Sequence, residues 1–135
     1  MLSRRLFSGC ALCAAIGFTA SPARAQPAAA PGGVLRTVIR QEPLAGTNQV
    51  TIQAFVDLAP GAVIARHTHP GHEGSYVIEG ALDFEIDGQP KLALKAGDSF
   101  LVPAGVPHGG TNGPARSRLF ATYVVDKDKP LASPA

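Results

Sequence analysis

The chain has 135 residues, 45% hydrophobic and 16% charged, which fits one domain with a core and excludes disorder throughout. Fifteen Gly, twelve Pro and only 6% aromatic residues point to short strands and many turns rather than long helices. The formal charge of +2 is carried by the first 25 residues, where Arg4, Arg5 and Arg24 meet no acid; the remainder has nine basic and ten acidic side chains, a balance of −1, with no basic stripe for nucleic acid.

Residues 1–25 read as a signal peptide. Arg4 and Arg5 form its charged start, Gly9 to Ala20 its apolar stretch, and Ala23-Arg24-Ala25 a small-residue cleavage site, so the mature chain starts near Gln26. The apolar stretch is short for a bilayer span, and no stable membrane insertion is expected after cleavage; an uncleaved anchor is the alternative. Ser3-Arg4-Arg5-Leu6-Phe7 resembles the twin-arginine export signal, which carries folded proteins across the bacterial inner membrane. The expected location is periplasmic or secreted. Cys10 and Cys13 have C-x-x-C spacing but lie in the apolar stretch, where they read as small residues of a discarded segment. The mature chain then has no thiol, so a metal site in it must use His and carboxylate.

Residues 26–33 read as a flexible linker, 34–128 as the folded domain and 129–135 as a tail; the charges and prolines after Asp126 predict fraying. Val34 to Arg40 is rich in strand formers. Gln49 to Leu58 alternates, with Val50, Ile52, Ala54, Val56 and Leu58 on one face; Phe55 is an apolar exception on the other. Ala59-Pro60-Gly61 predicts a turn and Ala62 to His69 a further strand. Ser75 to Ile78 leads into a turn at Glu79-Gly80. Leu82, Phe84 and Ile86 then alternate with Asp83, Glu85 and Asp87, which read as a solvated face. Asp87-Gly88 is a hairpin signal, with return over Lys91 to Leu94. Ala96-Gly97-Asp98 turns into Ser99 to Val102, Pro103 to Pro107 is a loop, and Leu119 to Val125 is the last strand. No helical periodicity intervenes, so the class is all-β, a sandwich or small barrel.

The four His are His67, His69, His72 and His108, three of them within six residues. His67 and His69 are two apart on a predicted strand and project to one face. A bend at Pro70-Gly71 can return Glu73 to that face, and a neighbouring strand can bring His108 opposite. Imidazoles and a carboxylate converging in a barrel suit Zn, Cu, Fe or Ni, with Mn admitted by the carboxylate. Four unrelated His are the alternative.

Two stretches resemble the cupin family. Gly61 to Gly80, GAVIARHTHPGHEGSYVIEG, is similar to the first cupin motif at each fixed position; Gly97 to Asn112, GDSFLVPAGVPHGGTN, is similar to the second. The resemblance implies a single jelly-roll β-barrel, the double-stranded β-helix, in which His67, His69, Glu73 and His108 ligate one divalent metal (Fe, Mn, Ni, Zn or Cu). It also implies positions left for water, substrate or dioxygen, and turns at Gly61, Gly80, Gly97 and Gly105. Asn112 is a motif residue with a hydrogen-bonding turn role rather than a ligand. Outside the pattern, His72 reads as a loop side chain near the mouth, or as a proton-shuttling group.

Glu73 is the first candidate for acid–base catalysis, since a ligated carboxylate can leave the metal and take a proton. Tyr76 and Tyr123 read as packing residues. Arg116 and Arg118 read as solvated, with binding of an anionic substrate at the mouth as the alternative. Arg66 should point away from the metal. Three functions stay open: a dioxygenase-like oxidoreductase acting on a small organic molecule, a non-redox isomerase or decarboxylase, and a non-catalytic metal- or ligand-binding protein. A homodimer through an edge strand is expected, with Val34 to Arg40 or Gln49 to Leu58 as the edge. A folded-state exporter would let a weakly bound metal be loaded before Cu and Zn compete for it.

Overall fold

Alternation along Gln49–Leu58 is realised in full: Val50, Ile52, Ala54, Val56 and Leu58 are buried and the residues between them are half-exposed. That is the burial of a strand with one face on a core. The computed structural model describes residues 31–135. The signal peptide, Cys10, Cys13 and most of the linker lie outside the described residues; Pro31–Gly33, the linker's end, forms a kinked turn with positive φ at Gly32 and Gly33.

Ten strands follow: β1 (Val34–Pro43), β2 (Gln49–Leu58), β3 (Val63–Thr68), β4 (Gly71–Glu79), β5 (Ala81–Ile86), β6 (Leu92–Lys95), β7 (Ser99–Val102), β8 (His108–Asn112), β9 (Ser117–Asp126) and β10 (Ser133–Pro134). They form two five-stranded antiparallel sheets, ordered β1-β2-β9-β4-β7 and β10-β3-β8-β5-β6. The fold is the cupin double-stranded β-helix that the motifs implied. Among the described residues no helix is long and apolar enough to cross a membrane.

The core lies between the sheets. Leu82, Phe84 and Ile86 of β5, Phe100 and Val102 of β7, and Leu119, Ala121, Tyr123 and Val125 of β9 point into it. Asp83, Glu85 and Asp87 are exposed as expected; Lys91 pairs with Asp83 at 3.2 Å, and Arg66 pairs with Asp87 on the outside. Each of the four motif glycines takes positive φ. Gly80 has φ +86°, and a Cβ there would lie 2.0 Å from Ser117 Oγ, so any side chain would collide as well as strain the turn.

Three expectations are corrected. β2 is not an edge, because β9 covers its far side; β1 is the edge, with Val38 and Ile39 exposed. Arg116 and Arg118 are solvated on the outer face as expected, away from any mouth, and there both bind Asp57, Arg118 through Nε at 2.8 Å and a terminal nitrogen at 2.9 Å. The Arg118 bond, offset by Asp57's partial burial and joined by Arg116, holds the Asp57 carboxyl below its ordinary range. His72 lies on strand β4, not on a loop, exposed on the outer face opposite Val124. The tail does not fray: Ser133 and Pro134 pair with Thr68 and His67.

Candidate metal centre

Strand β3 carries His67, and His69 follows just past its end. A register irregularity between Ile64 and His67 lets His67 pair directly with His108 on β8. Glu73 comes from the opposing sheet. Gly71 makes this possible: β4 begins so close to β9 that a Cβ at Gly71 would lie 2.0 Å from the carbonyl oxygen of Val124. Glu73 is therefore held inward, opposite Tyr123. The structure thus brings His67, His69, Glu73 and His108 together, with one ligand-type atom from each within 4.8 Å of the others. His69, Glu73 and His108 are buried and His67 is half-buried.

The rings are fixed from behind. Nδ1 of His67 lies 2.7 Å from the carbonyl of Ala65, Nδ1 of His108 lies 2.8 Å from that of Val106, and Nδ1 of His69 lies 2.5 Å from that of Leu131. A carbonyl only accepts, so in a neutral ring each Nδ1–H donates and each Nε2 presents a bare lone pair. The three Nε2 atoms point at one another and at the carboxylate. His67 Nε2 and His69 Nε2 are 3.2 Å apart, His69 Nε2 is 2.9 Å from Glu73 Oε2, and His108 Nε2 is 3.4 Å from it. His108 Nε2 is buried with no hydrogen-bond partner.

Four acceptors facing one centre repel unless a cation stands among them. Ligand atoms each about 2.1 Å from one ion and at right angles lie about 3 Å apart, which matches these spacings. The donor set fits a divalent metal, and carbonyls behind the imidazoles are the customary outer support of such ligands.

The protonation states also fit. Burial acts to raise the Glu73 pKa, and hydrogen bonds donated by His108, His69 and Ser75 lower it below the carboxylate range; with the two rings neutral and their protons on Nδ1, a cation among the Nε2 atoms replaces their two bonds. Ser75 donates to Oε1 at 2.7 Å, leaving Oε2 for the centre. Burial lowers the His67 pKa, with the Ala65 carbonyl opposing, so this ring stays neutral. An ionised carboxylate and a neutral imidazole are the forms that bind metal.

Of the residues singled out in the sequence, His72, Tyr76, Arg66, Arg116 and Arg118 lie on outer faces and take no part. Asn112 is buried and ties the other end of the barrel, as its turn role implied. Two side chains near the site are new. Tyr123, read as packing, sets its ring against His69 with centroids 4.9 Å apart. Burial, with the charge of Glu73 adding to it, pushes its phenol up to about 12, so it stays protonated. Arg36 of β1 lies over the other part of that ring, its guanidinium carbon 5.3 Å from the centroid. No local signal marks Arg36: along β1 Val34, Leu35 and Arg36 are all half-buried and Val38 is exposed, so alternation does not separate the faces.

Comparison with known proteins agrees with this architecture. A cupin domain model matches residues 54–123. A germin-like protein from Morus alba is 44% identical over 81 residues, 56% of this chain and 39% of that protein, so the chain spans about two fifths of its length. An RmlC-like cupin from Shewanella frigidimarina superposes with a TM-score of 0.58 at 30% identity, over 72% of this chain and 80% of that one. A variant of salicylate 1,2-dioxygenase from Pseudoaminobacter salicylatoxidans, in complex with gentisate, superposes with a TM-score of 0.59 at 26% identity, over 73% of this chain and 27% of that one. With two antiparallel sheets, a converging His/His/Glu/His group and a family match over more than half its residues, the chain belongs to the cupin family.

Proposed function

We propose that this protein is an exported, metal-dependent oxidoreductase of dioxygenase-like type, acting on a small organic molecule through one divalent metal ligated by His67, His69, Glu73 and His108. The observation that carries the reading is the convergence of three Nε2 lone pairs, each fixed by a carbonyl behind its ring, on one ionised carboxylate oxygen. The redox assignment draws on the likeness to the gentisate-bound salicylate dioxygenase. When bound, the metal supplies Lewis acidity to a substrate oxygen and, as iron, a path for electrons.

The chain's own groups do the rest. The backbone carbonyls hold the three imidazoles in one orientation. Glu73 is the candidate base: Oε1 stays with Ser75, and Oε2 would have to leave the metal to take a proton from the substrate. Tyr123 and Phe84, packed against His69 and His108, exclude water from the inner side. Export by the twin-arginine route to the periplasm delivers a folded, already loaded protein. We also place a homodimer contact at β1, whose free edge exposes Val38 and Ile39.

The test is the metal content of the mature protein, purified from its native compartment without chelators or added metal. Near-stoichiometric Fe, Mn or Ni, with substrate-dependent oxygen uptake, is the expected result. Empty protein, or a variable mixture of Zn and Cu, would remove the oxidoreductase reading.

A further inference from the structure

Among the described arginines Arg36 alone has a buried guanidinium nitrogen without a hydrogen-bond partner; Arg40, also outside any ion pair, is exposed. Arg66, Arg116 and Arg118 sit on outer faces and pair with Asp87 or Asp57. Arg36 is half-buried: it is paired in register with buried Val56, and its guanidinium rests on the buried ring of Tyr123. Its Nε is buried with no hydrogen-bond partner, and no described carboxylate forms an ion pair with it. An inward cation without a counter-ion is costly unless something anionic is meant to reach it.

Charge points the same way. Three neutral imidazoles, the Glu73 carboxylate and a divalent cation leave one positive charge at the centre; Arg36 adds a second. Tyr123 links the two, its ring lying against both His69 and Arg36. A guanidinium offers a planar fork matched to a carboxylate, and Nε is one tine of it.

We propose that Arg36 is the substrate-anchoring residue, and that the substrate is a small organic acid with an oxygen donor for the metal at one end and a carboxylate for Arg36 at the other. The proposal rests on the metal reading above and narrows its substrate class. Tyr123 then acts as the floor between the two anchor points and sets the separation of the two oxygen-bearing ends.

The test uses cobalt(II)-loaded protein, titrated with succinate and with its neutral diamide, succinamide, and followed by the cobalt visible spectrum and by calorimetry. Cobalt stoichiometry is measured first in each protein. Wild type should bind succinate at least tenfold more tightly than succinamide. Arg36→Met should keep its cobalt and its succinamide affinity while losing at least tenfold in succinate affinity, and Arg36→Gln should show the same loss should the Met variant not fold. Unchanged succinate affinity in either variant, equal losses for both probes, or a loaded wild type without preference for succinate would overturn the role of Arg36 alone. A wild type that takes up no cobalt would overturn the metal reading and the anchor with it.

Discussion

The barrel buries two polar clusters, and they are opposite in kind. Around Asn112, each group has a partner. Its amide nitrogen donates to the carbonyls of Ala59 at 2.7 Å and Ala115 at 2.9 Å, with Leu58 at 3.3 Å sharing a hydrogen; its Oδ1 accepts from Ser117 Oγ at 2.6 Å. Around His108, lone pairs face lone pairs and one nitrogen has no partner. A closed network holds a fold together and asks for nothing more. An open one, built as rigidly, asks for a ligand. Asn112 lies in the same motif as His108, on the same strand, and the difference in satisfaction separates the structural residue from the functional one.

That contrast can be broken from both sides. The His67→Ala, His108→Ala double variant should drop from about one metal per chain to under about 0.1, while far-UV circular dichroism stays that of a β protein. Retained stoichiometric metal would refute the ligand assignment. Asn112→Ala should do the reverse: several carbonyls and the Ser117 hydroxyl lose their partner, at about 2–4 kcal/mol. Its melting temperature should fall by about 10 °C or more, with metal stoichiometry of the folded fraction unchanged; a wild-type melt would show that the network is dispensable.

A smaller effect sharpens the role of the tail. Removing residues 130–135 deletes the Leu131 carbonyl behind His69. Loss of such outer support should weaken metal binding about 10–100-fold, read by competition with a chelator; unaltered affinity would make the tail a passenger.

The smallest effect concerns the outer ion pairs. Asp57→Asn should cost about 1 kcal/mol or less at neutral pH. The folded-state pKa of Asp57 is lowered, so its contribution is present above the unfolded value and fades as pH falls through the folded one. The difference between wild type and variant in denaturant melts should therefore vanish at strongly acid pH; a gap that persists there would mean the carboxylate's charge is not its source.

Much of this could be read from the chain itself. Alternation located β2 and β5, Gly-containing pairs located the turns, and the convergence of His67, His69, Glu73 and His108 was legible because residue type and spacing point the same way. What escaped depends on long-range pairing. Strand β8, HGGTN, has no alternation to detect and is a strand because β3 and β5 flank it. The tail is ordered by β3 and His69, far away in sequence. Arg118 meets Asp57 only through the β2–β9 register, and β2 became an inner strand for the same reason. Arg36 was not singled out, because nothing local distinguishes an edge-strand arginine facing in from one facing out.

His67 and His108 come from one sheet and Glu73 from the other. A cation bound to all three would close the chain into loops, joining residues far apart in sequence across the core. Beyond residue 25 the sequence has no cysteine, so no disulfide is available there for that purpose. The cation would take the place of a cross-link, restricting the unfolded chain as a disulfide does, with the difference that it can be withdrawn by acid or a chelator.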